Sequence, residues 1–517
     1  MHSRLHRALQ PLKRCVYSML KAMTWKLKTS IKSILSQETG WIKKDWGGKS
    51  SVALVYPNAY ELGMGNLAVH TIYELLNRRE RIVCERVFLP KDKSPILSME
   101  SQRPLCDFDV IAFTISFEND YLGILPILHA SQIHHIAEKR DDFAPLIIAG
   151  GATPTLNPKP LMRIVDAVVL GEIEAYENDL IELIENWQGK IAALECLSNI
   201  DGILTFENID RAEQVTRRHV KDLNEYHTQT VIHSKEAHFG NMHLIEVERG
   251  CPRSCRFCAT PVIYGKPRTR SARAVLEMVD CGLVHRKRMG LIGADIMSHP
   301  EFIKIGQAIH SKGATFSLSS VRVDAVDDDK AALLFESGHR SIALGIEAGT
   351  IRLRRKIGKG ISDEGVLKAA AALAKAGITR LRLYYMIGLP EETDDDIRAI
   401  AELSVKVFDT VREHAPRAQR STACDLTIAP FVPKPGTPFA GEGFNSQSEL
   451  KKKIKVLRRL LGKKKGMSIR VDSLVEAALE HFLANADEQA VQFLENAHKI
   501  GSARKALANI DAYKLRC

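Results

Sequence analysis

Cys251, Cys255 and Cys258 fall within one short run, Arg249-Gly250-Cys251-Pro252-Arg253-Ser254-Cys255-Arg256-Phe257-Cys258. Three thiolates at this spacing can occupy three irons of a cubane [4Fe-4S] cluster, leaving the fourth iron open to the amino and carboxylate groups of a second molecule. A zinc site would want a fourth Cys or His at short range, and none follows in the loop. The other seven of the ten cysteines are scattered along the chain. That pattern is unlike a disulfide scaffold and offers no second triad for an auxiliary cluster.

A loop of this kind needs a frame to hold it. Short β-rich runs at 243–248, 289–292, 315–318, 342–346, 382–387 and 425–429 alternate with helical segments such as 300–311 and 362–376. Ser362 stands where it can cap the second of these, ahead of Asp363 and Glu364 in the first turn. Six βα units predict a partial barrel over residues 241–440, with its site at the C-terminal ends of the strands. The cysteine run directly follows the first of them.

An earlier alternation, with strands expected at 52–56, 110–115, 146–149 and 167–170, predicts a doubly wound parallel sheet over residues 46–195. A polar connector is expected over 196–240. Residues 1–45 read as a basic arm, carrying eight Lys or Arg and no acid up to residue 35. Residues 441–517 read as helical and basic. Within that region the Lys and Arg run of 451–465 surrounds an inner stripe of Ile454, Leu457, Leu460 and Leu461. It reads as the solvated face of an amphipathic helix, and it has no aromatic residue for base stacking, so nucleic acid is not the favoured partner.

At 517 residues, 45% hydrophobic and 26% charged, the chain is too long for one core and ordinary for a soluble protein. No run approaches the roughly 18 to 20 apolar residues of a membrane span, and a cytoplasmic location is expected. The net charge of +11 is concentrated toward the two ends.

The Cys-x-x-x-Cys-x-aromatic-Cys run resembles the signature of the radical S-adenosylmethionine superfamily. The block from 44 to 187 resembles the cobalamin-binding-like domain of an uncharacterised group of such proteins, through Tyr56-Pro57-Asn58 and Cys84-Glu85-Arg86-Val87-Phe88-Leu89-Pro90. The resemblance covers most of the chain. It implies an α/β architecture with an N-terminal doubly wound (cobalamin-binding-like) domain, a partial (β/α)6 barrel and a helical C-terminal region. It also implies reductive cleavage of S-adenosylmethionine to methionine and a 5′-deoxyadenosyl radical, fed by an electron donor such as flavodoxin or ferredoxin. Cobalamin-assisted methyl transfer would follow if the first domain holds that cofactor.

The same resemblance places Phe257 beside S-adenosylmethionine. It puts Gly293-Ala294-Asp295, where the family usually has Gly-Gly-Glu, at the methionine ammonium. Ser319 and Arg322 fall near the carboxylate and ribose, and Glu347 at the ribose hydroxyls. The loops at 388–393 and 430–438 read as structural. In the first domain the family's Asp-x-His-x-x-Gly is matched in spacing by Asn58-x-Tyr60-x-x-Gly63. The cobalt-ligating His is thus replaced by a phenol, a weak donor with a pKa near 10. Tyr60, Ser116, Gly150, Gly151 and Thr153 are the cobalamin-facing candidates, and His70 reads as a packed helix residue. Two further readings are an RNA-modifying enzyme of the methylthiotransferase kind and a non-catalytic iron-sulfur regulatory protein. Tyr384, Tyr385 and Met386 fit packing as well as chemistry, and no residue identifies a substrate.

Overall fold

The computed structural model describes residues 25, 27–92, 94–206, 208, 215–417, 421–462 and 464–508. Residues 1–24 and 26 of the expected basic arm lie outside them. The described residues form two compact units, one from those within 25–218, 231–240 and 487–508, the other from those within 219–230 and 241–486.

The first unit is built on a six-stranded sheet of β1 (Ser50–Tyr56), β2 (Ile82–Phe88), β3 (Val110–Thr114), β4 (Leu146–Gly150), β5 (Ala167–Val169) and β6 (Ile203–Thr205), in the order β2-β1-β3-β4-β5-β6. All neighbours are parallel except β5 and β6. This order places a topological switch point between β1 and β3, where loops leave in opposite directions and open a crevice at the carboxyl edge.

Strand β2 escapes sequence reading because Glu85 and Arg86 interrupt its apolar pattern, although all seven of its residues are buried. Pairing makes that burial tolerable. Arg86 donates to both Glu38 carboxylate oxygens at 2.8 and 2.7 Å, and its Nε reaches Glu100 at 2.7 Å. Glu85 accepts from the Trp46 indole and from the Ser98 and Ser101 hydroxyls. The expected connector also needs correcting, since β6 lies inside it as an antiparallel edge too short to announce itself. The helix Ala490–Ile500, from the far end of the chain, belongs to this unit and buries Val491, Phe493 and Leu494.

The second unit carries β7 (His243–Glu246), β8 (Glu248–Arg249), β9 (Arg268–Thr269), β10 (Arg288–Ile292), β11 (Thr315–Ser317), β12 (Val321–Arg322), β13 (Ser341–Glu347), β14 (Arg380–Ile387), β15 (Ala423–Pro430) and β16 (Met467–Val471). Its parallel ladders run β11-β10-β7 and β12-β13-β14-β15-β16. Ser362 does cap the helix Asp363–Lys375, accepting the Gly365 amide at 3.0 Å. The helix Gln447–Leu461 buries Leu450, Ile454, Leu457 and Leu461, while Leu460 is 46% exposed.

The C-terminal region is not wholly helical as expected. β16 joins β15 in parallel, pairing Cys424 with Met467 through Ile428 with Val471. Its Met-Ser-Ile-Arg-Val alternates with period two, a signal masked by the lysines before it. Among the described residues no helix is long and apolar enough to cross a membrane.

Arg86, Glu38 and Glu100 have side chains at most 1% exposed. Replacing Arg86 with Met leaves two buried carboxylates without a counter-ion, and such a loss costs about 3–5 kcal/mol. The first unit's urea midpoint should therefore fall sharply and recover in part when Glu100→Gln is added. An unchanged midpoint in the single variant would contradict this account.

Candidate functional site

Val247 interrupts the first barrel strand, and β8 then pairs antiparallel with β9, turning the chain away from the ladder into the cysteine loop. Cys251, Cys255 and Cys258 are all partly exposed free thiols. Burial pushes the Cys251 thiol up, and Asp295, Cys258 and Cys255 add to the rise, so the three sulfurs share one neighbourhood. Burial raises Cys255 as well, opposed by Lys359 and Arg322. The Cys258 thiol donates to the Thr260 hydroxyl at 3.2 Å.

Among the described residues no three His, Cys, Asp or Glu side chains converge as a single ion would require. A cubane holds its thiolates further apart, across its corners. Three thiols on one loop, flanked by cations and open to one side, fit that group.

Contacts on both flanks hold the loop. Arg253 Nε donates to Asp295 at 3.0 Å, and its Nη1 lies 3.5 Å from Asp324. The Arg256 amide donates to Ile357 at 2.9 Å, and its guanidinium covers the Phe439 ring at 5.0 Å. Gly358 has a φ of 75°, and a Cβ there would come within 2.5 Å of the Ser254 carbonyl, so this close approach requires glycine. Phe257 packs against Ala348, Leu353, Ile357, Leu389, Phe431 and Phe439. The loops at 388–393 and 430–438 thus supply its apolar bed.

Glu248, which the sequence shows only as a strand residue, sits beneath the edge formed by Gly293, Ala294 and Asp295. Its buried carboxylate accepts the Asp295 amide and is also bonded by Ala294. A Cβ at Gly293 would come within 2.4 Å of Glu248 Cγ. The Asp295 side chain, 1% exposed, is occupied by Arg253 and by the Ser298 hydroxyl at 2.9 Å.

Arg322 on β12 grips Asp324 at 2.9 and 3.0 Å while its Nη1 reaches to 4.0 Å from Cys255 Sγ. Ser319 is exposed in the gap between β11 and β12. Glu347 ends β13 just past a bulge, with a φ of 74°, and accepts Lys359 Nζ at 2.7 Å. A left-handed non-glycine residue stores about 1–3 kcal/mol of strain. Lys359 is a second residue that sequence reading missed. Tyr385 is buried and accepts from Ser404, whereas Met386 packs against the same apolar cluster as Phe257.

At the carboxyl edge of the first unit, Asn58 donates to Asp120 at 2.9 Å and Asn66 to the Ser116 hydroxyl at 2.6 Å. Gly150 ends β4, Gly151 turns the chain out of it, and Thr153 is buried in the helical turn beyond. The Tyr60 hydroxyl donates to Glu38 and its ring meets Phe88 edge-on at 5.2 Å. Burial, with the Glu38 charge behind it, pushes this phenol far above its ordinary pKa. The hydroxyl is therefore committed to the Arg86 ion cluster.

Leu62 and Phe117, on the loops after β1 and β3, are 43% and 65% exposed. In the segment after Phe117, Asn119 Oδ1 and the Tyr121 hydroxyl are buried without hydrogen-bond partners. The exposed apolar side chains Leu62 and Phe117 at this edge fit the face of a flat corrinoid. Neither Tyr60 nor His70 offers a free nitrogen there. His70 is fully buried, its Nε2 3.0 Å from the Met64 carbonyl and its Nδ1 3.3 Å from the Val231 and Ile232 amides.

Two family models match this chain. One, describing the N-terminal part of radical SAM proteins, covers residues 68–205, and one describing the radical SAM superfamily covers 245–404. An uncharacterized protein of Methanocaldococcus jannaschii is 27% identical over 90% of this chain and 95% of its own length. The cobalamin-dependent S-adenosylmethionine radical enzyme OxsB, solved with aqua-cobalamin and S-adenosylmethionine, matches with a TM-score of 0.54 at 14% identity, covering 90% of this chain and 71% of that one. The radical S-adenosylmethionine methyltransferase TsrM of Kitasatospora setae, solved with cobalamin and a [4Fe-4S] cluster, matches at 0.50 and 15%, covering 74% and 75%. At such identities the likeness is one of fold.

Burial lowers the His70 pKa to about 4. Between the ordinary value of about 6.5 and 4 the unfolded chain takes up a proton that the folded one refuses. Stability present above pH 6.5 is therefore lost as pH falls toward 4, by at most roughly 3 kcal/mol. Urea titrations of the parent should show that slope and a His70→Gln variant should lack it; equal slopes would mean that His70 is not held neutral.

Proposed function

The chain belongs to the radical S-adenosylmethionine superfamily, and on that premise we propose that it is a methyl-transferring enzyme holding a [4Fe-4S] cluster on Cys251, Cys255 and Cys258 and a corrinoid on its first unit. The observation that carries the cluster reading is the three-thiol loop tied through Arg253 to Asp295, with Arg322 reaching toward Cys255. When bound, the cluster with S-adenosylmethionine supplies reductive cleavage of the sulfonium, and the corrinoid supplies a methyl carrier.

The residues around the loop then have distinct tasks. The buried Glu248 carboxylate, beneath the edge from Gly293 to Asp295, draws the methionine ammonium to that edge. The Arg322 guanidinium offers a charge to the carboxylate, and Glu347 presents its acid to the ribose from the end of β13. Phe257 closes the apolar side of the loop and keeps water from it. A one-electron donor of the flavodoxin or ferredoxin class is the partner this chemistry requires. The corrinoid reading is supported by the exposed apolar rim of the first unit and by the two-part likeness to OxsB and TsrM, which hold cobalamin.

Two experiments test this. Anaerobic protein given dithionite and S-adenosylmethionine should release 5′-deoxyadenosine, and Ala at any of the three cysteines should remove most of the iron and the product; full iron in all three variants sinks the ligand set. Reconstituted with cob(II)alamin, the protein should give an electron paramagnetic resonance spectrum without nitrogen superhyperfine splitting from a protein side chain, because Tyr60 carries no nitrogen and is held by Glu38. Protein-derived splitting in the parent, or failure to retain any corrinoid, would overturn that half, while its gain in Tyr60→His would locate the cobalt.

A further inference from the structure

We propose that Lys359 is a positioning residue that pins Glu347 in its left-handed conformation and sets the reduction potential of the thiolate site beside it. This rests on the cluster reading above. Lys359 sits on the turn that supports the cysteine loop. A Cβ on its neighbour Gly358 would lie 2.5 Å from the Ser254 carbonyl and 3.5 Å from Cys255 Cα, and the Ile357 carbonyl takes the Arg256 amide at 2.9 Å. Residues 357–359 thus run against the middle of the loop.

The Lys359 side chain is only 7% exposed, and its ammonium folds back over the bulge of β13 to reach Glu347 at 2.7 Å. A Cβ at Gly345 would come within 2.8 Å of Glu347 Oε1 and 2.9 Å of Lys359 Nζ, so glycine there leaves room for the pair. Arg322 is a second cation at the same thiol, 4.0 Å from Cys255 Sγ.

A buried ion pair contributes little net stability, so stability alone is weak grounds for one placed here. Its placement has an electrostatic consequence. Taking one electron from a reductant adds a negative charge to a site that already carries three thiolates. The ammonium favours that change, and the Glu347 carboxylate opposes it. Substitutions at the two partners should therefore shift the potential in opposite directions, whereas loosening of a structural contact would give both the same sign.

The test is a redox titration of the iron-replete full chain, following the reduced-cluster signal by electron paramagnetic resonance. Lys359→Gln should make reduction about tenfold less favourable, a fall of about 59 mV for a one-electron couple. Glu347→Gln should raise the potential, and Lys359→Arg should stay near the parent. An unmoved potential in iron-replete Lys359→Gln, or a shift of equal sign in both Gln variants, overturns the proposal. Should Lys359→Gln fail to hold iron, Glu347→Gln decides alone, and a potential at or below the parent's overturns it. A parent chain that binds no iron overturns the cluster reading and this inference together; iron-replete variants with unmoved potentials overturn only the inference.

Discussion

The chemistry open to the second unit depends on the grip of the buried Asp295 carboxylate on Arg253. Residues 250–258 have no ladder partner and no disulfide, so their shape comes from what surrounds them. Asp295 supplies one fixed point because its own backbone amide is bonded to Glu248 and its second oxygen to Ser298. The other fixed point is the Ile357 carbonyl, which takes the Arg256 amide and lies beside the turn at Gly358. Between these two anchors the thiols are spaced by backbone geometry. Substitution at either anchor should therefore act on all three cysteines at once.

Much of this architecture was legible in the chain, for reasons that differ by element. The cysteine loop is legible because its signal is local, with three cysteines inside one stretch of irregular backbone. Buried parallel strands such as β1, β3 and β4 read as near-continuous apolar runs. Strand β2 fails that test because Glu85 and Arg86 lie in it, and their partners Glu38 and Glu100 come from other parts of the chain. β16 was hidden by its charged surroundings. Glu248 and Lys359 have no spacing signature at all, since each gains its meaning from a neighbour more than ten residues away.

The first unit shows the same limit from the opposite side. The spacing of Asn58, Tyr60 and Gly63 matches the resembled motif with a phenol at its His position. What the phenol does instead depends on Glu38, which precedes it by 22 residues and belongs to a buried ion cluster. A side chain that looked like a missing ligand is thus a clasp between the carboxyl edge and the interior.

The helix Ala490–Ile500 belongs to the first unit although the whole barrel is encoded before it. The barrel is thus an insertion within the first unit's sequence, and a ribosome emits the sheet strands long before this helix. The apolar surface that Val491, Phe493 and Leu494 will cover must wait through the synthesis of more than two hundred residues. A nascent first unit is therefore incomplete for most of its time on the ribosome, and chaperone engagement or premature termination in that interval would act on the half whose own strands had finished earliest.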